Sequence, residues 1–372
     1  MQFTVNSQDL ADALSIVTRA ISARPAKQIL EGVLIEADPD GINLVCSDGN
    51  LSIECAITGD VKEGGRIVLP GRLFNELVRK LPSGNVKVDI PDSRAAVIRC
   101  ESSRFTLSGM NAAEYPEIAP LNDESVTIGL PQNRFAQMIS HVVFSAAVDE
   151  TRQILTGCLL EVTPTEARLV ALDGYRLAMQ KLDSVFVLPE KQSMLRAVIP
   201  GRVMIEMSRI LADEETECVM TFDGARMQAC FGNTKLSTVL LAGEYIDYRR
   251  IIPQAFKTTA RTKKSELSNA IDFAGLMARE GKNNLIRLSF SSDEVLISSN
   301  AETGNADQRV SAELSGEPID IAFNAKYLSD VIRNVGEDEL NMNFNSNVSP
   351  CVFKPTEGDD FVYLILPVRV FQ

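Results

Sequence analysis

The sequence predicts an α+β protein made of three repeated domains, each with two helices packed on antiparallel sheet. Three observations carry this expectation. A pattern recurs with a period of about 120 residues, close to the size of a single domain. Each copy opens with an apolar stripe at helical spacing, and each has a second helix with basic residues at fixed places. The copies are expected at 1-121, 126-253 and 256-372.

The first helix of each copy is read from its buried face. Leu10, Leu14, Val17 and Ile21 stand at i, i+4, i+7 and i+11, as one side of an α-helix requires. Phe135, Ile139, Val142 and Ala146 repeat the spacing, and so do Leu267, Ile271, Ala274 and Ala278. Short runs rich in β-branched and aliphatic residues follow. In copy one Gly32 to Glu36 meets the turn Asp38-Pro39-Asp40-Gly41, then Ile42 to Cys46, then Ser47-Asp48-Gly49-Asn50 and the run Leu51 to Ile57. Strands joined by such turns form an antiparallel meander. Copy two gives Leu159 to Val162, Ala167 to Ala171 and, after Asp173-Gly174, Tyr175 to Met179; copy three gives Ile286 to Phe290 and Glu294 to Ser298.

The second helix is the sharper signal. It begins Pro70-Gly71-Arg72 in copy one, Pro200-Gly201-Arg202 in copy two and Asn324-Ala325-Lys326 in copy three, with Arg79, Arg209 and Arg333 seven residues after the basic position. At about 100° per residue, Leu73, Phe74, Leu77, Val78 and Leu81 cover one side of the first of these helices while Arg72 and Arg79 nearly eclipse each other on the opposite side. Exposed basic residues on a helix are ordinary, and one pair means little. A triplicated pair in an acidic chain means more. Set side by side on a curve, the six charges would line one wall suited to phosphate, and backbone contacts of that kind are independent of base sequence and sensitive to salt.

Composition narrows the remaining classes. The chain carries 37 basic and 50 acidic side chains, a net charge of −13, which excludes coating of nucleic acid by bulk attraction. Seven scattered cysteines without a C-x-x-C pair read as buried thiols in a reducing compartment. One histidine, His141, lies in an apolar stretch and reads as a packed or helix-surface residue, so neither a His-based metal site nor a triad is expected. There is no Walker loop, G-x-G-x-x-G, H-E-x-x-H or G-x-S-x-G, and no cofactor is expected. No apolar run approaches the ~20 residues that span a bilayer. The start of the chain lacks the basic and apolar regions of a signal peptide, and the expected location is cytoplasmic, with no membrane partner.

Along its whole length the chain resembles the bacterial processivity clamps, the beta subunits of DNA polymerase III. The resemblance rests on Phe3-Thr4-Val5, Arg24-Pro25, Ser103-Arg104-Phe105-Thr106-Leu107-Ser108, Asp173-Gly174-Tyr175-Arg176-Leu177, Asp247 to Pro253 and Leu366-Pro367-Val368-Arg369. It implies the clamp fold, a non-catalytic head-to-tail ring of two chains with helices lining a channel for duplex DNA. It implies further that the replicative polymerase, the clamp loader, repair polymerases and ligase dock by short peptide motifs.

The resemblance also implies site residues. DNA-facing positions are Arg24, Arg72 and a segment in which this chain has Asp149, Gln153 and Ile154 where the family pattern often has a glutamine and paired tyrosines; the repeat adds Arg79, Arg202, Arg209, Lys326 and Arg333. A pocket for partner peptides, working through a few buried apolar anchors, takes in Leu155, Leu172, Gly174, Tyr175, Arg176, Leu177, Ile246, Arg250, Ile251, Pro350, Leu364, Ile365, Leu366, Pro367, Val368 and Arg369. For Leu155 and Leu172 plain core packing competes evenly. The run Leu364 to Val368 reads as a last strand or as an edge left open for a partner, with Val370-Phe371-Gln372 bearing on the rim. Ring closure is expected near Phe105 and Leu107 in copy one and Leu276 and Met277 in copy three.

Two other readings are open at this stage. Asp48-Gly49 and Asp173-Gly174 recur at equivalent places and, as acidic groups, admit acid-base chemistry, although a favoured turn explains them more simply. A multi-domain protein-protein scaffold without a DNA ligand shares the repeat but needs no basic helix faces.

Overall fold

The computed structural model describes residues 1-92, 95-122, 124-189, 193-281 and 284-369. A single unit of strand, helix and three strands recurs six times, twice per copy. Copy one holds β1 (Gln2–Asn6), α1 (Ser7–Val17), β2 (Gly32–Asp38), β3 (Gly41–Ser47), β4 (Leu51–Ile57), an extra β5 (Asp60–Glu63), then β6 (Gly65–Pro70), α2 (Gly71–Val78), β7 (Asn85–Asp92), β8 (Ala95–Cys100) and β9 (Ser103–Ser108). Copy two holds β10 (Val126–Pro131), α3 (Gln132–Ser140), β11 (Gly157–Val162), β12 (Glu166–Leu172), β13 (Arg176–Asp183), β14 (Leu195–Pro200), α4 (Gly201–Ile210), β15 (Glu217–Phe222), β16 (Arg226–Phe231) and β17 (Thr234–Val239). Copy three holds β18 (Thr258–Lys263), α5 (Lys264–Glu280), β19 (Leu285–Phe290), β20 (Glu294–Ala301), β21 (Gly304–Ser315), β22 (Ile319–Asn324), α6 (Ala325–Asn334), β23 (Glu339–Phe344), β24 (Cys351–Lys354) and β25 (Phe361–Ile365).

Compactness divides the chain differently from the repeat. One unit comprises Met1–Phe135 with Arg209–Leu240, the other Ala136–Ser208 with Leu241–Gln372. Strand pairing is the reason. The first unit contains a five-stranded sheet, β5-β1-β7-β8-β9, and an eight-stranded sheet, β10-β15-β16-β17-β4-β3-β2-β6, in which β17 of copy two pairs with β4 of copy one. The second unit contains a twelve-stranded sheet, β14-β11-β12-β13-β25-β24-β23-β18-β21-β20-β19-β22, in which β25 of copy three pairs with β13 of copy two. A ladder of backbone hydrogen bonds shared between copies binds them more closely than any linker does.

The helical stripes fared unequally. Leu267, Ile271, Ala274 and Ala278 are all buried along α5. In copy one α1 stops at Val17, and Ile21 is buried in extended backbone beyond a 3-10 turn. In copy two α3 stops at Ser140, whose hydroxyl donates back to the Gln137 carbonyl; the β-branched pair Val142-Val143 follows, and Val142 has left the helical region at φ −122°. Val142 is buried there, but Ala146 does not share a helix face with Phe135.

The α2 face is narrower than its sequence suggests. Phe74 and Val78 are buried, Leu77 and Leu81 half-buried, and Leu73 is 48% exposed. With eight residues α2 makes barely two turns, and Leu73 reaches a shallow groove beside Ser22, Ala23 and Pro25 instead of the core.

Candidate nucleic-acid interface and docking pocket

Each basic helix starts directly from the strand before it. β6 ends at Pro70 and β14 at Pro200, and the next residue is glycine in both. The reason is close approach. A Cβ on Gly71 would lie 3.1 Å from the Glu31 carbonyl oxygen and 2.6 Å from Cδ1 of Ile21; one on Gly201 would lie 2.6 Å from the Thr156 carbonyl oxygen. In copy three Ala325 takes this place, and the Asn324 side chain caps α6 by accepting from the backbone N–H groups of Lys326 (3.0 Å) and Tyr327 (3.3 Å).

Arg72, Arg79, Arg202, Arg209, Lys326 and Arg333 are all exposed. The structure brings Arg24 and Arg72 together around Ser22: Nη2 of Arg72 donates to the Ser22 carbonyl at 3.1 Å, and the Arg24 backbone N–H donates to Ser22 Oγ at 3.2 Å. Arg79 follows the last α2 residue as its C-cap. The Arg333 guanidinium pairs with Asp272 of α5 at 2.9 Å and so offers less charge than the sequence suggests. Asp149 is an N-cap: its carboxylate accepts from the Thr151 N–H at 2.9 Å and the Thr151 hydroxyl at 3.0 Å, and these bonds hold its pKa below the ordinary value. This capping role suits an acid at the position. Gln153 is exposed and Ile154 half-buried against the second unit's core.

The pocket residues separate into floor and rim. Leu155, Leu172, Leu177 and Leu364 belong to one buried cluster with Leu159, Val170, Met179, Val198, Tyr245, Tyr248, Val352 and Val362, so core packing is the right description of Leu155 and Leu172 in the free chain. Ile365 is fully buried. The exposed apolar residues are Tyr175 (61%), Ile246, Ile251 and Leu366, with Val348 beside half-buried Pro350. Pro367 and Val368 are half-buried, and Gly174, Arg250 and Arg369 are exposed, Arg250 paired with Asp247 at 3.0 Å.

One expectation about this region changes. β25 is no open edge, because it pairs with β13 on one side and β24 on the other. Beyond it, Leu366 N–H donates to the Tyr175 carbonyl and Val368 N–H to the Ala322 carbonyl, each at 2.8 Å, which ties the rim to the β12-β13 turn and to β22. Val370-Phe371-Gln372 lies outside the described residues. Arg176 is held from within the fold. It is 8% exposed, its Nε donates to Asp173 at 3.0 Å and its Nη1 to Asp330 at 2.6 Å, and it lies over the rings of Tyr327 and Phe144. Through these bonds Arg176 holds the β12-β13 turn to α6. Tyr175 stacks on Tyr327 at 6.0 Å. A cavity of about 520 Å³ runs between Asp149, Arg152, Tyr175, Arg176 and Lys326.

At the residues expected to close a ring, Phe105 is half-buried and Leu107 buried on the inner face of β9, an edge strand paired only with β8 among the described residues. Leu107 is therefore core of its own domain. On α5, Leu276 is 61% exposed and Phe273 49%, with Met277 half-buried beside the β20-β21 turn.

The aspartate-glycine pairs are turns. Asp48 Oδ1 accepts from the N–H groups of Asn50 and Leu51, Asp173 Oδ1 from those of Tyr175 and Arg176, and glycine follows at φ +97° and +92°. A third such turn, Asp223-Gly224, does the same for Ala225 and Arg226; its spacing to Arg226 repeats Asp173 to Arg176 and was readable in the sequence. Cys230 is exposed on the outer face of β16, contrary to the expectation of uniformly buried thiols, because strand alternation turns it away from Ala229. His141 is half-buried, and burial together with the nearby Lys264 lowers its pKa against the opposing effect of a Gln180 hydrogen bond.

Sequence reading missed the residues that hold the pocket in place. Asp330, Tyr327 and Phe144 surround Arg176. Glu161, 2% exposed, accepts from the Tyr248 hydroxyl (2.9 Å) and from Arg249 (2.6 Å) and pairs with Arg196 (3.2 Å), anchoring the linker that carries Ile246, Arg250 and Ile251. A lone acid inside the buried run Gly157 to Val162 was the available signal.

Comparison with known proteins accords with this arrangement. Three family models match in order: DNA polymerase III beta subunit N-terminal domain over residues 1–119, central domain over 129–247 and C-terminal domain over 249–369. The chain is 33% identical to the beta sliding clamp of Bacillus subtilis and 32% identical to that of Staphylococcus aureus, each over the full length of both proteins. Its fold superposes on the crystal structure of the Bacillus subtilis DNA polymerase sliding clamp with a TM-score of 0.94 at 32% identity, and on the DNA polymerase III beta subunit of Thermotoga maritima with 0.92 at 25%, covering all of each chain.

Proposed function

The chain belongs to the DNA polymerase III beta subunit family, and from that membership we propose that it is a DNA sliding clamp: two chains close head to tail into a ring around duplex DNA and tether the replicative polymerase to it. The observation that carries the reading is the end-to-end match to sliding clamps, together with exposed basic residues at the same place in three equivalent helices. The clamp makes and breaks no bond. Its work is topological, since a closed ring cannot leave DNA sideways, while weak phosphate contacts let it slide.

Arg24, Arg72, Arg202, Arg209 and Lys326 are the phosphate-facing charges in this reading, with Arg79 and the Asp272-paired Arg333 at the margin. Each contact in so acidic a chain is local, so affinity falls steeply with salt while threading does not. The pocket takes short peptides of the polymerase, loader, repair polymerases and ligase on the apolar rim Tyr175, Ile246, Ile251 and Leu366. Duplex DNA, a second copy of the chain and such peptides are the partners, and the place of work is the cytoplasm. The test is retention on circles. Chains loaded on nicked circular DNA by a cognate loader should stay bound through a gel-filtration column in high salt and run off after linearisation. Equal retention on circular and linear DNA would sink the proposal.

A further inference from the structure

Copies one and two meet through β4 and β17, and copies two and three through β13 and β25. The two junctions are the same construction. At each, the residue between the aspartate-glycine turn and the following strand offers its carbonyl to the far end of the last strand of the next copy: Asn50 O accepts from the N–H of Val239, the last residue of β17, at 3.1 Å, as Tyr175 O accepts from that of Leu366, just beyond β25, at 2.8 Å.

Matching positions can be read from the pairing. At the second junction Leu172 pairs with Leu177, Leu177 with Leu364 and Leu364 with Val352, an apolar row across four adjacent strands. At the first junction the same steps give Ser47 with Ser52, Ser52 with Ser237 and Ser237 with Gln228. Two residues further along the same face, Val170, Met179 and Val362 correspond to Val45, Glu54 and Lys235, where Lys235 and Glu54 form an ion pair at 2.9 Å. Every member of the polar row lines a groove of about 250 Å³, within which Ser52 Oγ donates to Ser47 Oγ at 2.8 Å and Gln228 Nε2 to Ser237 Oγ at 3.4 Å.

We propose that this four-residue row determines which junction receives an apolar peptide: Leu172, Leu177, Leu364 and Val352 are the specificity determinants, and the serines with Gln228 keep the equivalent groove closed to the same ligand. The inference rests on the peptide-pocket reading and deepens it. In the free chain the leucines are buried, so a peptide reaches them only as rim side chains part, and the row then decides what the anchors meet. Anchors entering the first groove would strip hydrogen bonds from Ser47, Ser52, Ser237 and Gln228 without replacing them.

The test uses the full chain and a short fluorescein-labelled peptide with leucine and phenylalanine anchors, read by anisotropy and by calorimetric stoichiometry. The wild type should take one peptide per chain. Ser237→Leu with Gln228→Val, and the fourfold variant adding Ser47→Leu and Ser52→Leu, should raise this toward two, a gain that unfolding cannot produce. Leu364→Ser with Val352→Gln should weaken binding on the order of 30-fold, with a thermal melt checking that the chain is folded. Stoichiometry fixed at one in a folded Ser→Leu variant, or undiminished affinity in the Leu364→Ser variant, overturns the inference alone. A wild type that binds no such peptide overturns the pocket reading beneath it.

Discussion

One Cβ decides whether a helix can start hard against a neighbouring strand. At Gly201 that atom would lie 2.6 Å from the Thr156 carbonyl oxygen, a group fixed by its own backbone, whereas in copy three Ala325 is accommodated. Gly201→Ala should therefore cost about 1–3 kcal/mol through backbone displacement, although alanine is intrinsically the better helix former. Urea unfolding measures it, and a variant as stable as the wild type would refute the steric account. His141 gives a pH signature. Its folded pKa lies below the ordinary 6.5, so between the two values the unfolded chain binds more protons and stability rises with pH; above 6.5 this contribution levels off. His141→Gln should remove that slope when urea midpoints are compared between pH 5 and 7.5, and an unchanged slope would show that other groups produce it. The sequence made Pro-Gly legible as a helix start, but not the carbonyl pressed against it. A close approach between residues 45 positions apart leaves no local mark, and for the same reason the pairing of Arg176 with Asp330 was invisible.

At the scale of elements, local patterns were read well and long-range ones poorly. The strand Leu51–Ile57 was read to its ends because alternation and flanking turns are local, and the third helical stripe held over its whole length. The second failed after Ile139, since apolar spacing alone does not reveal that Val142-Val143 leaves the helix while keeping its burial. The sixfold recurrence of strand, helix and three strands went unseen, because its halves share topology more than residues. Linkers behave likewise: the stretch Tyr245 to Ile252 is pinned through Tyr248 and Arg249 to buried Glu161, a contact far off in sequence, and burial pushes the Tyr248 phenol up to about 12. Glu161→Gln keeps the shape and removes the charge. Because Arg196 and Arg249 are about half exposed and regain water, the expected loss is about 1–3 kcal/mol, short of that for a fully buried pair. The sharper readout is hydrogen exchange, where amides of residues 245-252 should lose protection ahead of β11 and β12. Uniform change across the chain would deny the linker a specific anchor.

For the whole molecule, the pairing rule at the two internal junctions predicts how a ring would close. In each, the last strand of one half-copy pairs antiparallel with the last strand of the next copy, β4 with β17 and β13 with β25, which leaves β21 and β9 without counterparts. Residues 304-311 of β21 pair on one side only among the described residues, and β9 is an edge. Register follows by counting. Ser52, Leu177 and Asn305 sit opposite Ser47, Leu172 and Asn300, five residues beyond the pairs Ala37 with Ile42, Val162 with Ala167 and Phe290 with Val295. Thr234 pairs with Cys55, three beyond Ser52, and Ser103 is the counterpart of Thr234 because both open a strand after a two-residue turn. Ser103 should then face Gln308 of the partner subunit, which sets exposed Arg104 opposite exposed Asp307 of the partner subunit. Opposite charges facing across strands help by roughly 0.2–1 kcal/mol and like charges hurt by a similar amount, and a ring has two such interfaces. Arg104→Asp or Asp307→Arg alone should weaken the dimer on the order of tenfold, and the two together should restore it, as sedimentation at low salt would report. Rescue is the decisive part, because either single change also alters its own strand. A double variant no better than the singles would mean that the ring closes in another register.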